Sequence, residues 1–349
     1  MCNSIIVDNL PKKVWDLLIV NNKKALFYHS PYYHDLLKSY LNCQLKYNLI
    51  SDSSGPLAVL PMMISSSLKY GKVINSLPYY GSNGSVIYRS DLSYIERCEI
   101  NKIILKTLNS YIDDTVSAIT IIMNPNDSSQ QEWFEANFKA DFVGFRIGQI
   151  TELPTFNEDC ELKLFQMYSS PRPRNIRKAI KSGAEVYHSN NKEDLKFLYN
   201  VHQENIRAIG GISKEWLFFD NVINYIPAEN FKIWVCKINN IKVSALLVFY
   251  YNKTVEYFTP ATLQDYRKFQ PSSLIIHKAM INASMKNYRY WNWGGTWESQ
   301  KGVYDFKKKW NANDFKYKYF TKVFNKEILN IPKQEILKTY PYFYVLPFN

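Results

Sequence analysis

The chain lacks the cysteine pattern that a disulfide framework or a structural metal site would need. Its five cysteines are odd in number and far apart, and none forms a CxxC pair or a Cys/His cluster. We therefore expect neither a disulfide scaffold nor a bound metal. Scattered free cysteines are typical of a reducing compartment, so a cytoplasmic location is expected.

Long apolar runs are missing as well. No stretch of 18 apolar residues occurs, and the N-terminus has no basic start followed by an apolar run. The sequence therefore predicts neither a membrane span nor a signal peptide. Peripheral contact with the inner face of a membrane is compatible with this pattern.

Several enzyme signatures are also absent. The chain has no GxSxG elbow, Walker loop or Rossmann glycine fingerprint, and its five histidines show no spacing typical of a metal site or a triad. The sequence therefore does not favour hydride transfer or nucleoside triphosphate hydrolysis as the reaction of this protein.

The composition is that of a folded protein. Its 349 residues are 46% apolar, which is enough for one large domain or two medium ones. The formal net charge is +12. This excess has two alternative explanations. One is a residue usage that is rich in lysine along the whole chain, and the other is a nucleic-acid or phosphate-bearing partner. Composition leaves both explanations open.

One pattern of strands and helices occurs twice. In each half, three strands precede a loop, a helix and a closing strand. The segments are 44–50, 57–64, 73–77, 94–111 and 118–123, and then 231–237, 243–250, 254–258, a helix from near 272, and 288–293. This repeat predicts an α/β fold with mixed sheets and helices on their faces. Proline and polar residues interrupt the apolar pattern near residue 153, and this break divides the chain into 1–153 and 154–325, with a tail at 326–349.

The strongest candidate for chemistry lies near the C-terminus. The closing strand runs into Gly294 and Gly295, and Lys307 follows among aromatic residues in GVYDFKKKW at 302–310. Glycines after a strand let the backbone approach a ligand, and a lysine between large apolar anchors is held in position. This combination favours a site for an anionic or carbonyl group.

Acyl transfer to an amine suits this segment. The reaction needs a base for the ammonium group and a donor for the tetrahedral oxyanion. Lys307 or a backbone N–H can supply the donor. Asp305, Glu298 or a water chain can supply the base, with Tyr304 beside them in sequence. For each carboxylate, a surface or structural ion pair is the alternative interpretation.

Two basic segments suit phosphate groups. One predicted helix face carries Arg174, Arg177, Lys178 and Lys181, beside an apolar stripe predicted at Ile176, Ala179 and Ile180. The second segment contains Arg267 and leads to a helix whose N-cap is predicted at Ser272 or Ser273. The alternative interpretation of the first segment is a solvated basic helix face, and that of the second is an ordinary capped helix.

A third segment, the loop at 76–85, has two glycines and the paired Tyr79 and Tyr80. Such a loop either cradles a sugar or nucleoside or is a simple turn.

In their order, these segments resemble the Fem-type peptidoglycan bridge aminoacyltransferases and related GNAT-superfamily acyltransferases of envelope-polysaccharide gene clusters. The C-terminal signature is strand–Gly-Gly–loop–GVYxFKxxW, the central arginine segment is RxxRKA before Gly183, and the N-terminal substrate loop is SLPYYG at 76–81. The resemblance spans roughly residues 25–322.

The resemblance implies two GNAT-like domains in tandem. It also implies transfer of an acyl or aminoacyl group to an amine of a nucleotide- or lipid-linked sugar or peptide precursor of the cell envelope. The 1–153 half would be the acceptor side, and the 154–325 half would be the donor and catalytic side.

The resemblance also assigns roles to residues. Lys307 matches the lysine associated with the active site. The implied acceptor contacts are Arg174, Arg177, Lys178, Tyr79 and Tyr80, and the implied donor contacts are Arg267, Ser272, Ser273, Gly294 and Gly295.

The implied co-substrate is acyl-coenzyme A or aminoacyl-transfer RNA, with no tightly bound cofactor. The chain departs from the family in two relevant ways. It lacks the long helical hairpin that some Fem enzymes use toward transfer RNA, and RKFQPS at 267–272 replaces the usual pyrophosphate loop of GNAT proteins. A non-catalytic GNAT-like module that binds an anionic glycan or a nucleic acid is the alternative function.

Overall fold

The computed structural model describes residues 2–19, 22–79 and 83–347. Tyr80 and Gly81 of the predicted substrate loop therefore lie outside the described residues. Contacts divide the chain into two compact units. Unit 1 comprises Met1–Arg146 and Lys316–Asn349, and unit 2 comprises Ile147–Phe315.

The strands, in chain order, are β1 (Asn3–Val7), β2 (Gln44–Asp52), β3 (Gly55–Ser67), β4 (Gly71–Asn75), β5 (Ile87–Tyr88), β6 (Val116–Ile122), β7 (Phe142–Glu152), β8 (Ala184–Ser189), β9 (Phe231–Ile238), β10 (Ile241–Tyr251), β11 (Thr254–Thr262), β12 (Tyr290–Thr296) and β13 (Asn313–Val323).

The α-helices are α1 (Lys12–Ile19), α2 (Pro31–Leu41), α3 (Tyr94–Tyr111), α4 (Ser128–Asn137), α5 (Cys160–Met167), α6 (Arg172–Lys181), α7 (Lys192–Arg207), α8 (Trp216–Tyr225), α9 (Pro271–Met285), α10 (Lys301–Lys308) and α11 (Lys333–Thr339). Short 3₁₀ helices occupy Phe27–His29, Gln264–Phe269 and Lys326–Asn330.

The sheet of unit 1 has the strand order β1-β2-β3-β4-β6-β13, and β5 pairs with β3. Strands β1 to β4 are antiparallel neighbours, whereas β4 and β6 are parallel. Helix α3 provides the crossover that this parallel pair requires. It begins at a capping box in which Ser93 and Glu96 bond to each other's backbone N–H.

The sheet of unit 2 has the order β7-β12-β11-β10-β9-β8, with β7 contributing from Ile147 onward. Strands β8 to β11 are antiparallel neighbours, β11 and β12 are parallel, and α9 is their crossover. The apolar residues of α9 pack against these strands together with Trp291 and Trp310, whose side chains are fully buried.

The predicted internal repeat is confirmed. The series β2-β3-β4-α3-β6 in unit 1 and β9-β10-β11-α9-β12 in unit 2 share one element order and one pairing pattern. In both, three antiparallel strands are followed by a crossover helix and a parallel strand. The predicted α/β class with mixed sheets is confirmed with it.

The two units differ from the predicted ranges at the C-terminal end. Tyr319–Val323 of β13 pair with Ala118–Ile122 of β6, and in the tail the backbone N–H of Tyr344 donates to Asn75 Oδ1 at 2.7 Å. Residues 316–349 therefore belong to unit 1. The division of roles between an acceptor half and a donor half stays a prediction.

The apolar stripe predicted for α6 needs one correction. Ile176 and Ala179 are fully buried, but Ile180 is 53% exposed, and Arg172 is buried instead. Residues 172, 176 and 179 recur at i, i+4 and i+7, so they share one side of the helix. Ile180 lies about 80° around the axis from Arg172, at the edge of that side.

This packing predicts different results for two substitutions on one helix. Ile176→Ala should lower the free energy of unfolding by about 2–5 kcal/mol, because it removes buried methyl groups and leaves a cavity. Ile180→Ala, the matched control, should change it by no more than about 0.5 kcal/mol. Urea denaturation monitored by tryptophan fluorescence measures both. Equal losses would contradict the assigned orientation of α6.

Candidate active site

The two parallel strands of unit 2 separate partway along their length. Thr254, Val255 and Glu256 of β11 pair with Tyr290, Trp291 and Asn292 of β12. Both strands then continue, β11 to Thr262 and β12 to Thr296, without pairing to each other. The facing edges of this gap present backbone N–H and C=O groups to whatever enters it.

A β-bulge on each strand accompanies the separation. In β12 the register shifts between Asn292 and Gly295, and Gly294 adopts a φ of +70°. That conformation strains residues with a Cβ, which explains the glycine. In β11 the extra residue is Phe258, because Tyr257 and Thr259 face consecutive residues of β10.

The corresponding place in unit 1 is closed by the chain itself. After β4 ends, Ser76 N donates to Thr120 O of β6 at 2.9 Å, and Gly84 N donates to Ile122 O at 3.1 Å. Gly84 also approaches Leu77 so closely that a Cβ would lie 2.4 Å from the Leu77 Cβ. The open gap is therefore a feature of unit 2, since in unit 1 loop residues take up the edge of β6.

Lys307 is bound to the bulge of β12. Its Nζ donates to Gly294 O at 3.2 Å, to Gly295 O at 3.4 Å and to Thr296 Oγ1 at 2.7 Å. An ammonium group has three protons, and these three acceptors match them. The structure thus brings together three of the predicted site residues, Lys307, Gly294 and Gly295.

The surroundings of Lys307 are buried and carry no compensating charge. Its side chain is 5% exposed, and burial lowers the pKa of Lys307 to about 8. Thr296 Oγ1 donates onward to Gln149 Oε1 at 3.3 Å, and Gln149 Nε2 donates to Tyr304 O. Within the described residues Lys307 has no ion pair, so its charge is stabilised by neutral oxygens alone.

Arg172 is a second buried cation in contact with the same segment. Its guanidinium lies 4.2 Å from the ring centroid of Phe306 and 5.4 Å from that of Trp310, and Nη2 donates to Phe306 O at 3.4 Å. Its Nε is buried without a hydrogen-bond partner among the described residues. Burial lowers the pKa of Arg172, and Tyr257 opposes that shift. A buried guanidinium with unused donors is suited to an anionic ligand.

The sequence motifs did not single out Arg172. A signal was nevertheless present, because Arg172 is in phase with the buried Ile176 and Ala179 and not with the four exposed cations of α6. A charged residue in the apolar phase of a helix marks either a buried ion pair or a binding site.

Aromatic side chains form a cluster at the segment that carries Lys307 and contacts Arg172. The ring centroid of Trp293 lies 4.9 Å from that of Tyr257, 6.1 Å from that of Phe306 and 5.9 Å from that of Trp310. The Thr151 hydroxyl connects two of these residues, since its Oγ1 accepts from the Trp293 ring Nε1 and donates to the backbone carbonyl of Trp310. Trp293, Trp310 and both cations are buried, so electrostatic interactions at the site are stronger than in water.

The opposite face of the sheet carries a buried carboxylate at the same level. Glu256 is fully buried on β11 and is the last residue that faces β12, opposite Asn292. Because side chains alternate along a strand, Glu256 points away from Tyr257 and toward the face covered by α7 and α8. The Asn292 Nδ2 is buried and has no partner in the described part of the chain. Sequence reasoning did not identify Glu256, since alternation alone does not tell a buried position from a solvated one.

The carboxylates predicted from the sequence lie differently. Glu298 is exposed in the loop before α10. Asp305 is partly buried on α10, two residues before Lys307, and residues at that spacing point to different sides of a helix. Tyr304 donates to Asp314 Oδ2 at 2.7 Å, which raises the pKa of Tyr304. None of these three contacts Lys307 through a side chain in the described residues.

The predicted phosphate contacts are exposed. Arg174, Arg177 and Lys178 lie on the solvent side of α6, with the Arg177 guanidinium 5.7 Å from the Phe165 ring centroid. Arg267 is exposed in the 3₁₀ helix before α9, and that 3₁₀ helix packs against α6. Unit 2 therefore has a basic surface at the start of α9.

The N-cap predicted at Ser272 or Ser273 is wrong. Helix α9 begins at Pro271, and its N-cap is Gln270 at a φ of +62°, without a side-chain cap. Proline is favoured as the first helical residue because it has no N–H to satisfy, and it moves the start ahead of both serines.

Tyr79 belongs to unit 1. Its ring is buried, with centroids 5.4 Å from Tyr40 and 5.3 Å from Tyr342, and its N–H donates to Tyr342 O at 3.0 Å. Tyr79 therefore forms part of an aromatic cluster. Its role, like that of Tyr80 outside the described residues, stays a prediction.

Comparison with known proteins identifies the family that this segment resembles. Residues 229–317, which contain the gap, both glycines and Lys307, match the FemAB family model. The resemblance to Fem-type transferases indicated by the motifs is confirmed. No curated protein is significantly similar to the chain in sequence.

Solved structures share the fold over nearly the whole chain. A crystal structure of FemX has a TM-score of 0.71 at 12% identity and covers 94% of this chain and 99% of its own. L-PGS from Bacillus licheniformis has a TM-score of 0.54 at 14% identity, covering 96% and 97%. The C-terminal domain of a putative lysylphosphatidylglycerol synthetase from Agrobacterium fabrum has a TM-score of 0.55 at 9% identity, covering 93% and 96%. At these identities the likeness establishes the fold alone, which agrees with the predicted α/β fold of mixed sheets.

Across residues 2–19, 22–79 and 83–347, no helix combines the length and the apolar character needed to cross a bilayer.

The lowered pKa of Lys307 predicts a pH dependence of stability. Between about pH 8 and the ordinary value of 10.5, the unfolded chain holds this proton and the folded chain releases it. The free energy of unfolding should therefore rise through this window, by at most about 3 kcal/mol from this group. Lys307→Met should remove that rise. Urea titrations at several pH values measure it, with Lys309→Met as the control for loss of one lysine. An identical pH dependence in wild type and Lys307→Met would contradict the assignment.

Proposed function

We propose that this protein transfers an acyl or aminoacyl group to an amine of a nucleotide- or lipid-linked sugar or peptide precursor in cell-envelope glycan biosynthesis. The observation that carries the proposal is the gap between β11 and β12 in unit 2, flanked by two buried cations, Lys307 and Arg172. The FemAB match over the same segment supports it.

The gap suits the donor. Its edges offer backbone groups to a ligand that carries amides, as an added strand would. Beside the start of α9, whose first turn has no side-chain cap, Arg267 and the exposed cations of α6 offer contacts for phosphates. Both an acyl-coenzyme A and an aminoacyl-transfer RNA combine a reactive carbonyl with phosphates, so both remain donors in the proposal.

The two buried cations suit the carbonyl. During attack the carbonyl oxygen becomes an oxyanion, which fixed positive charge stabilises most strongly where water is excluded. Lys307 can bond to that oxygen by giving up one of its two longer bonds, those to Gly294 O and Gly295 O. Arg172 has an unused Nε–H and needs no such exchange.

We assign the proton acceptor to Glu256. It lies where β11 and β12 separate, on the face opposite Tyr257 and the two cations. In the proposed step an acceptor ammonium loses a proton to this carboxylate, directly or through a water. The nitrogen lone pair then forms the C–N bond, and the C–O or C–S bond to the carrier breaks. The carrier oxygen or sulfur leaves with the electron pair and takes up the second proton, which the nitrogen loses as the amide forms.

Removing the charge of Lys307 tests the proposed site. Lys307→Met should lower kcat/KM by about 100-fold or more, since one preorganised electrostatic donor is lost. Release of free thiol from acyl-coenzyme A, or transfer of radiolabelled amino acid from charged transfer RNA, measures turnover with amino-sugar nucleotides as acceptors. Lys309→Met should retain wild-type rates. Wild-type turnover in a folded Lys307→Met protein would contradict the role of this lysine.

The donor is identified in the same assay. Loss of activity after ribonuclease treatment indicates transfer RNA, whereas thiol release that ribonuclease does not affect indicates coenzyme A. Stabilisation by each donor alone, read from the shift in Tm, gives its binding independently of turnover.

Glu256→Gln tests the base. The amide has nearly the same size but cannot take the proton, so kcat/KM should fall by about 100-fold. In this variant the fall of kcat/KM at acid pH that reflects protonation of Glu256 should disappear. Loss of a structural contact alone would not remove that part of the pH profile. Glu298→Gln, an exposed carboxylate, is the matched control. An unchanged pH profile in Glu256→Gln would contradict the assignment of Glu256 as the base.

One observation favours a second function. The exposed cations Arg174, Arg177 and Lys178 would also serve a non-catalytic module that binds an anionic glycan or nucleic acid. Salt-dependent binding to RNA, with no stabilisation by any donor and no turnover, would favour this module.

A further inference from the structure

Helix α9 carries a buried histidine that the proposed reaction does not use. His277 is fully buried where α9 packs against α5. Its Nε2 lies 3.0 Å from Glu161 Oε1 on α5, and its Nδ1 lies 3.3 Å from the hydroxyl of Tyr168, the residue that follows α5. The Glu161 side chain is 52% exposed. The three side chains therefore form a hydrogen-bonded chain that begins at the surface and ends in the core of unit 2.

The neighbours of His277 determine which ring nitrogen carries the proton. Burial acts to raise the pKa of Glu161, but the hydrogen bond from His277 and the charge of Lys278 lower it overall, so this carboxylate is ionised and accepts from His277 Nε2–H. Burial lowers the pKa of His277, and Glu161 opposes that shift only in part, so the ring is neutral at neutral pH.

A neutral ring with its proton on Nε2 has an acceptor at Nδ1, and the Tyr168 hydroxyl donates to it. Met280 Sδ lies 3.4 Å from the same hydroxyl, but a thioether is a weak acceptor. His277 is therefore the stronger of the two groups that hold the hydroxyl.

Tyr168 and its successor contact the segments that carry both buried cations. The Tyr168 ring centroid lies 4.8 Å from that of Trp310, in an edge-to-face arrangement. Ser169 N donates to Lys309 O at 3.0 Å, just after α10 ends, and Ser169 O accepts from Arg172 N at 3.0 Å, where α6 begins. Tyr168 and Ser169 therefore link the end of α10 to the start of α6.

We propose that His277 is a positioning residue: by holding the Tyr168 hydroxyl, it sets the positions of α6 and α10 and so of the two buried cations at the gap. This inference rests on the proposed function, in which the cations stabilise an oxyanion. Such donors act strongly only at the correct distance from the developing charge, so a small shift of either helix lowers the rate.

Two substitutions at one position separate the two hydrogen bonds of the ring. The amide of asparagine reaches about as far from the backbone as Nδ1, and that of glutamine about as far as Nε2. His277→Asn should therefore keep the bond to Tyr168, whereas His277→Gln should keep only the bond to Glu161. In the transfer assay, His277→Gln and Tyr168→Phe should lower kcat by about 10-fold with little change in KM. His277→Asn should stay within about two-fold of the wild type.

A merely structural role of His277 predicts a different result. Both His277 variants would then lose Tm, and kcat of the folded protein would not depend on which hydrogen bond is kept. Near-UV circular dichroism identifies the folded proteins. Equal kcat in the two folded variants, whether near the wild-type value or well below it, would overturn the proposal.

Two further measurements do not need turnover. In the wild type, NMR of the ring nitrogens at neutral pH should show His277 as the Nε2–H tautomer, and the Nδ1–H tautomer would overturn the proposal. In His277→Gln, but not in His277→Asn, the rise in stability assigned to Lys307 between about pH 8 and 10.5 should shrink, because a shift of α10 leaves this lysine less buried. An unchanged rise in His277→Gln would contradict the positioning.

These measurements also separate this inference from the proposed function. If the wild type transfers no group while both results are as expected, the proposed function fails and the positioning of the two cations by His277 stands.

Discussion

Three hydrogen bonds from the Lys307 ammonium hold the end of β12 in a shape that a regular strand does not adopt. The carbonyls of Gly294 and Gly295 approach one nitrogen, which successive carbonyls of a flat strand, pointing in opposite directions, would not do. The positive φ of Gly294 permits this convergence. The bulge, the separation from β11 and the burial of a lysine without a counterion are therefore aspects of one local arrangement.

The same fold is used differently in the two units. Each has a parallel pair of strands joined by a crossover helix, and each pair stops bonding after a few residues. In unit 1, Ser76 and Gly84 complete the edge of β6, so its backbone groups are satisfied within the chain. In unit 2 the strands β11 and β12 continue past their last paired residues without bonding to each other. A duplicated architecture thus keeps one potential site open and closes the other with a loop.

Sequence periodicity predicted the elements that decide the fold, since α3 has the predicted bounds and the strands of both repeats lie within a few residues of theirs. It also placed Lys307 beside the glycines. It could not predict Arg172 or Glu256, because their importance depends on which neighbours bury them. The predicted cap at Ser272 failed for a local reason, since Pro271 is itself a good first residue of a helix.

Buried charge without a counterion is destabilising, and a folded protein retains it only where something else is gained. Arg172 and Lys307 illustrate this in unit 2, because neither has an ion pair within the described residues although both are more than nine-tenths buried. Neutral carbonyls and aromatic faces compensate them only in part, as their lowered pKa values indicate. An anionic group or a developing oxyanion in the gap would complete that compensation. The two cations would then interact most strongly with the negative charge that develops during transfer. An interaction that is stronger in the transition state than in the bound substrate lowers the reaction barrier, whereas one of equal strength in both only improves substrate binding.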